Sequence, residues 1–434
     1  MIFMIVIYNI IQLFILIILS PLFFVIVIFN EKYRSRILRR LGFGFSALVR
    51  NLPAGPCRIW LHALSVGEVA SVRSLVKKIR QERPEVVILF SCTTASGEDY
   101  ARTSLKGDVD LVFTFPLDFF WLVRRYIRSI SPDLFMLVET DFWPNFLFSL
   151  KGNKVPALLV NGRASFRSHR FYRYFRFVFL PLLMAFDYLA VQRRPDRENM
   201  IGIGVPPEKV IMPGNLKYDG FIEDGLEVGQ GLGRVDLFIP GEALVMVAGS
   251  THSGEEKMIF DFIQELSEDF PDLKLIIAPR NIGSCRDVMK MAREYGFPCR
   301  LKTEPPPDAH EIRVLVLDTI GELAGVYRLA DLVFIGGSLV KEGGHNPLEP
   351  AALGKPVLFG PYMDDFCDIS TEMIEEGCAV QVDSWDGLIR RGRSLLGDPF
   401  LRADLGRRAL DFVTERRGAV DNYYRVIETL LRTP

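Results

Sequence analysis

Residues 58–92 read RIWLHALSVGEVASVRSLVKKIRQERPEVVILFSC. An apolar run (58–64) gives way to a segment with helical spacing (65–84), and a second apolar, β-branched run follows (86–92). Strand, helix, strand in that order predicts two parallel neighbours joined by a crossover helix, each strand covered on both faces. The pattern continues outward. DLVFTF (110–115), DLFMLVE (133–139) and PALLVN (156–161) read as further buried strands, and PLDFFWLVRRYIRSISP (116–132) as a helix. A glycine-rich stretch, GLEVGQGLGRVDLFIPG (225–241), interrupts the alternation and reads as a linker. A second series then begins with ALVMVAGS (243–250), LKLIIAPR (273–280), RVLVLDT (313–319), DLVFIGGS (331–338) and PVLFGP (356–361). The expected fold class is α/β, with two doubly wound Rossmann-like domains over 31–224 and 242–434, facing a cleft. The last helix is a candidate to pack back on the N-terminal domain.

Composition narrows the function classes. Of 434 residues, 49% are hydrophobic and 24% charged, which excludes general disorder. Lys plus Arg number 52 against 53 Asp plus Glu, so no global field recruits nucleic acid and any charged site must be local. The six cysteines form no CxxC or Cys/His cluster, which points to a reduced cytosolic setting for the body. Residues 1–30 contain no Asp, Glu, Lys or Arg and exceed the ~20 apolar residues of a membrane span. Lys32, Arg34, Arg36, Arg39 and Arg40 follow at once, the mark of a cytoplasmic flank. The expectation is an N-terminal anchor over 1–30, either a span or a hairpin kinked at Pro21 within one leaflet, with the body at the inner face of a membrane.

In open α/β sheets ligands bind beyond the carboxyl ends of strands, so the residues there carry the functional reading. Glu68 follows the strand at 58–64, where a helix N-terminus favours an ionised carboxylate suited to accept a proton. Ser65-x-x-Glu68 equally spells a capping box, and the residues alone leave both readings open. Thr319-x-x-Glu322 has the same form. Glu139 closes a strand in ETDFWPN, and Lys217 follows another in GNLKYDG; each is a surface residue or a site residue. Pro279-Arg280 sets a guanidinium at a strand end, able to grip a phosphate with two hydrogen bonds. In GGSLVKEGGHNPLEPAALGKPVLFGP (336–361), glycines permit close backbone approach, Asn346 reads as an N-cap and Pro347 as the first helical residue. A glycine loop feeding a helix start is expected to receive an anion, with Glu349 placed to accept ribose hydroxyls.

There is no GxGxxG or Walker sequence, which disfavours NAD and P-loop chemistry. Asp108-Val109-Asp110 precedes its strand and reads as a polar turn, and no histidine is spaced from another as a metal pair would be. Arg163, Arg167, Arg170, Arg173 and Arg176, interleaved with aromatics up to Phe179, suit either a phosphorylated lipid headgroup or a core-packing helix with solvated arginines.

HALSVGEV, TTASGE, ETDFWPN, NGRAS, GNLKYD, AGSTHSGEE, APR, GEL and GGHNPLEPAALGKPVLFGP occur in this order. With them the chain resembles the Kdo transferases, which attach 3-deoxy-D-manno-oct-2-ulosonic acid (Kdo) to the lipid A precursor of Gram-negative bacteria. The resemblance implies a GT-B glycosyltransferase fold with the acceptor on the N-terminal half and CMP-Kdo on the C-terminal half. It also implies inverting transfer without metal or cofactor, at the inner membrane. By motif it makes Glu68 the general base and gives Glu139 and Lys217 transition-state support. It assigns CMP contacts to Pro279, Arg280, Gly321, Glu322, Leu323, Asn346, Pro347, Leu348 and Glu349. The chain departs from the family's ETELWPN, NARLS, PRH and GPH, carrying ETDFWPN, NGRAS, Pro279-Arg280-Asn281 and Gly360-Pro361-Tyr362. Two other readings stay in view, a nucleotide-sugar epimerase of the same architecture and a membrane-anchored scaffold without catalysis.

Overall fold

A computed structural model describes the backbone of residues 2–29, 31–50, 52–53, 55–163, 166–219, 233–237, 239–304 and 312–432, with side chains of 2–3, 19–33 and 166–169 also outside the description. The chain forms two units, Met1–Gly220 with Gly418–Pro434, and Phe221–Arg417. Of the linker expected over 225–241, residues 225–232 and 238 lie outside the described residues.

The first unit holds seven parallel strands: β1 (Arg58–Ala63), β2 (Val87–Cys92), β3 (Leu111–Thr114), β4 (Leu134–Val138), β5 (Ala157–Gly162), β6 (Tyr188–Val191) and β7 (Val210–Ile211). Their order is β3-β2-β1-β4-β5-β6-β7, so the winding reverses between β1 and β4. Along β1 the side chains alternate between two cores. Trp60 joins Leu89, Phe113 and Phe135 on one face, and Ile59 and Leu61 join Ile88, Phe90 and Met136 on the other. Burial on both faces is why these strands read as continuous apolar runs. The helix Ala419–Arg432 closes the second core, with Tyr423, Ile427 and Leu430 buried in it.

The second unit repeats the scheme with β8 (Val245–Thr251), β9 (Lys274–Pro279), β10 (Cys299–Leu301), β11 (Val314–Val316), β12 (Leu332–Ile335), β13 (Val357–Phe359) and β14 (Val380–Gln381). The order is β10-β11-β9-β8-β12-β13-β14, all parallel, with reversal between β8 and β12.

The N-terminal stretch forms a helix over Ile2–Phe29, its side chains described from Met4 to Ile18. Among the described residues, no helix is long and apolar enough to cross a membrane, so the expected anchor is not established by the fold. The arginines behind it are drawn onto the body: Arg36 donates to the Thr93 carbonyl, Arg40 to the Phe115 carbonyl at 3.3 Å, and Arg39 pairs with Glu98 at 3.2 Å.

Candidate active site

Glu68 and Glu139 stand at the carboxyl ends of β1 and β4, the two strands at which the winding of the first sheet reverses. Glu68 lies in the first turn of the helix Val66–Glu82 and is 7% exposed. Ser65 occupies the N-cap, yet its hydroxyl makes no capping bond, and Glu68 accepts the N–H of Leu64 at 2.6 Å. The reciprocal exchange of a capping box is therefore not formed. Burial, with the charges of Glu139 and Asp141 behind it, pushes the Glu68 carboxyl up to about 8 against the pull of the Leu64 N–H and Lys217. This overturns the expectation that the helix dipole keeps Glu68 ionised. The dipole is worth ~0.3–1 kcal/mol, whereas each unit of pKa is about 1.4 kcal/mol, so sealing the carboxyl from water wins.

Glu139 takes a left-handed backbone, φ 62°, as do Asn161 (56°) at the end of β5 and Ser250 (57°) at the end of β8. Such positions cost a non-glycine residue ~1–3 kcal/mol and cluster at functional sites. Lys217 Nζ lies 3.9 Å from Glu139 Oε1, so Glu68, Glu139 and Lys217 gather at one place. The Lys217 segment is held at both ends. Asn215 accepts the Lys217 N–H at 3.0 Å, and Asp219 accepts those of Gly418 and Val420 at 2.9 and 2.7 Å, capping the terminal helix.

Two groups that sequence reasoning missed support this cluster. His62, fully buried on β1, stacks on Phe115 with ring centroids 3.8 Å apart. Its Nε2 lies 3.2 Å from Asp141 Oδ2, and its Nδ1 lies 3.0 Å from the Ser91 carbonyl. Burial opposes charge on Asp141, but hydrogen bonds from His62 and from Thr93 (3.1 Å) prevail and hold the carboxyl below its usual range. Asn161 is fully buried and accepts the Leu216 N–H at 3.4 Å, while its Nδ2 has no partner among the described residues.

In the second unit the assigned residues fall at the ends of β9, β11 and β12. Pro279 is buried and Arg280 exposed, its N–H donating to the Thr251 carbonyl at 2.9 Å. After β11, Gly321 turns with φ 87° and leads to Leu323, the start of a short helix. Glu322 accepts from Lys302 at 2.5 Å and from Thr319; these bonds overcome the burial that opposes its charge and hold it below the usual carboxylate range. After β12, Asn346 Oδ1 accepts the Leu348 N–H at 3.0 Å while its Nδ2 donates to Glu349 at 3.1 Å. Asn346 thus caps the turn that Pro347 and Leu348 open, although the helix is only Leu348–Ala351.

The first part of the glycine loop has an occupant of its own. The N–H groups of Gly337, Ser338 and Leu339 are taken by the buried carboxylate of Glu255 at 2.6, 2.9 and 2.8 Å. The protein's own anion fills the Gly337–Leu339 part of the loop, and the helix start at Asn346–Leu348, where a phosphate is expected, lies beyond it. The close backbone approach is real: a Cβ on Gly336 would lie 2.3 Å from the Ser250 carbonyl oxygen. The cation at this edge is Arg280, and near it stands a histidine pair invisible to sequence spacing. His252, after β8, and His345, after β12, meet Nε2 to Nε2 at 2.8 Å with rings stacked. Burial, then the charges of His252 and Arg280, hold His345 down to about 4.

Asp110, second carboxylate of the DVD turn, is taken up by Arg80 (2.6 Å) and the Ile88 N–H (2.8 Å), a structural role. Among the described residues no group of three or more His, Cys, Asp or Glu could hold a metal ion. In the arginine-aromatic segment, Phe171, Tyr174 and Phe177 are exposed by 53, 79 and 70%, while the side chains of Phe166 and Arg167 lie outside the described residues.

Comparison with known proteins adds the following. A sequence model for the family described as "3-Deoxy-D-manno-octulosonic-acid transferase (kdotransferase)" matches residues 35–220. The 3-deoxy-D-manno-octulosonic acid transferase of Haemophilus influenzae is 30% identical, covering 93% of each chain. That of Chlamydophila psittaci is 27% identical over 91% of this chain and 90% of its own. Among solved structures, UDP-GlcNAc 2-epimerase from Neisseria meningitidis aligns over 87% of this chain and 100% of its own, with TM-score 0.56 and 13% identity, a likeness of fold alone.

Proposed function

This chain belongs to the 3-deoxy-D-manno-octulosonic acid transferase family and is a Kdo glycosyltransferase; from that premise we propose that it moves Kdo from CMP-Kdo onto a lipid A precursor at the inner face of the cytoplasmic membrane, by inverting, metal-independent transfer. The observation that carries the mechanism is a sealed carboxyl, Glu68, pushed up to about 8 beside Glu139 and Lys217. A carboxylate of that basicity is matched to removing a proton from a sugar hydroxyl near neutral pH.

In this reading Glu68 takes the acceptor hydroxyl proton as the oxygen attacks the anomeric carbon of Kdo from the face opposite CMP. The bond from that carbon to the phosphate oxygen breaks, and CMP leaves as the anion. Lys217 and Glu139 fix charge around the oxocarbenium-like transition state. Arg280, with the His252–His345 pair beside it, receives the phosphate, and Asn346 and Glu349 receive the nucleoside. Preorganised donors supply what a metal supplies elsewhere. Attachment to the membrane falls to the charge-free first helix and the exposed aromatics between Phe171 and Phe177. The epimerase reading has no feature of its own in its favour, since the likeness to that enzyme is one of fold.

The test is transfer by the purified protein in detergent, with CMP-Kdo generated in situ, a tetra-acylated lipid A precursor and product read by mass spectrometry. Mass increments of Kdo establish the acceptor. Intact donor and unshifted lipid, with folded protein, refute it. Activity abolished by EDTA and restored by a divalent ion would refute metal independence.

A further inference from the structure

We propose that the first helix is a structural part of the first unit, docked along it within one leaflet, and that Tyr8, Asn9 and Gln12 hold in place the 139–146 segment that carries Glu139 and Asp141. A plain tether would keep polar side chains out of an apolar stretch. Here three of them, at 8, 9 and 12, fall on one helix face with Ile5 and Leu16, since residues three and four apart are neighbours on a helix. Each finds a partner in the body. Tyr8 Oη donates to Asp118 Oδ2 at 3.0 Å, and Gln12 donates to the Asp118 carbonyl at 3.2 Å. Asn9 and Asn145 exchange amide hydrogen bonds, both at 2.9 Å. Met4 and Leu16 pack against the core behind them.

The receiving groups are sealed: Asp118 is 2% exposed and Asn145 1%. The same Asp118 carboxylate accepts the N–H groups of Asn145 and Phe146 at 2.9 Å each, the first turn of the helix Pro144–Gly152. One carboxylate therefore joins the N-terminal helix to the far end of ETDFWPN, whose near end holds Glu139 in a left-handed backbone. Loss of the helix contact leaves buried polar groups unsatisfied at the anchor point of that segment, which is costly where no water can substitute.

The opposite face meets lipid. Ile7, Ile10, Phe14 and Ile18 are exposed by 40, 61, 65 and 58%, beside Trp121 at 63%. The occupant of this face is the hydrocarbon of one leaflet, because the stretch carries no charge and its polar groups are spent inward. A span does not fit. With the helix engaged on the body through Leu16, Ile17–Phe29 remains, ~20 Å of helix against a ~30 Å hydrocarbon core.

The activity arm of the test rests on the transfer reading above; the topology arm does not. Full-length Asn9→Leu and Tyr8→Phe are reconstituted in phosphatidylethanolamine/phosphatidylglycerol vesicles. Asn9→Leu makes the helix more lipophilic, so a mere tether would work as well or better. The expected result is a kcat lowered roughly tenfold, with KM for CMP-Kdo and vesicle flotation unchanged. Wild-type kcat in both variants overturns the positioning role. Separately, an uncharged tag with a protease site is placed before Met1. Cleavage by protease added on the side of the body is expected; protection until detergent is added means a span and overturns the docked helix. If the wild type itself transfers nothing, the acceptor reading fails while the cleavage result still decides the topology.

Discussion

Glu68 shows how one residue is pulled by opposing effects and which prevails. Its carboxyl would be about 4.5 free in water and stands near 8 in the fold, chiefly through burial. The folded state therefore binds a proton that the unfolded chain has released, and stability falls as pH rises from about 4.5 to about 8, then levels off. Glu68→Gln removes that penalty. Its melting point should match wild type near pH 4.5 and rise above it progressively to pH 8, a gain on the order of a few kcal/mol, while transfer falls at least ~10²-fold. The acid limb of kcat/KM in the wild type should lie near 8 and respond to the neighbours. Asp141→Asn moves it down, because a like charge is removed, and Lys217→Met moves it up. Limbs that stay put in both variants would detach Glu68 from the role of base. The strand-end positions of Glu68, Glu139 and Lys217 were legible in the sequence because strand endings can be read along the chain. His62 against Asp141, and His252 against His345, were not, because those pairs bridge neighbouring strands 79 and 93 residues apart in sequence.

At the scale of elements, strands set in apolar runs announced themselves, even β7, β11 and β13 with two or three residues each. β14 has two residues and β10 three, and neither sits in an apolar run that displays a strand pattern. The glycine loop after β12 was legible as a close backbone approach but not as the seat of Glu255, because nothing in the sequence says that a carboxylate 82 residues earlier reaches it. That carboxylate is Glu255, fully buried, which also accepts the His252 N–H at 3.0 Å and so ties the end of β8 to the loop after β12. Glu255→Gln keeps the shape but not the charge, and an amide oxygen cannot satisfy the same set of donors. Charge-assisted bonds of this kind are worth ~1.5–3 kcal/mol each in net terms, so denaturant unfolding should show a loss of at least ~2 kcal/mol. The same variant should bind CMP roughly tenfold more weakly by calorimetry, since the loop positions His345 and Asn346. Unaltered stability and CMP affinity together would mean that the loop holds its shape without Glu255. The arginines behind the first helix tell a similar story: their positions read as a charged flank, but Arg36, Arg39 and Arg40 are engaged with the body.

At the scale of the molecule the chain leaves the first unit at Gly220, builds the second, and returns at Gly418. The return is built into the first unit's chemistry. Tyr423, fully buried, accepts the Asn161 N–H at 2.8 Å, and the terminal helix takes its N-terminal cap from Asp219, two residues beyond Lys217. A chain stopped after Arg417 therefore loses a wall of one core, the clamp on Asn161 and the support of the Lys217 segment at once. The second unit, whose strands and Glu255 latch lie wholly within Phe221–Arg417, loses none of its internal contacts. Calorimetry of the truncated chain should show the transition of the first unit lowered or absent and that of the second retained, with CMP binding kept and Kdo transfer lost. Retained transfer would mean that the terminal helix merely covers the sheet. Loss of CMP binding would mean that the second unit depends on the first for its fold. The split outcome follows because an apolar face left open costs about 25 cal/mol per Å2, and only the first unit has one to expose.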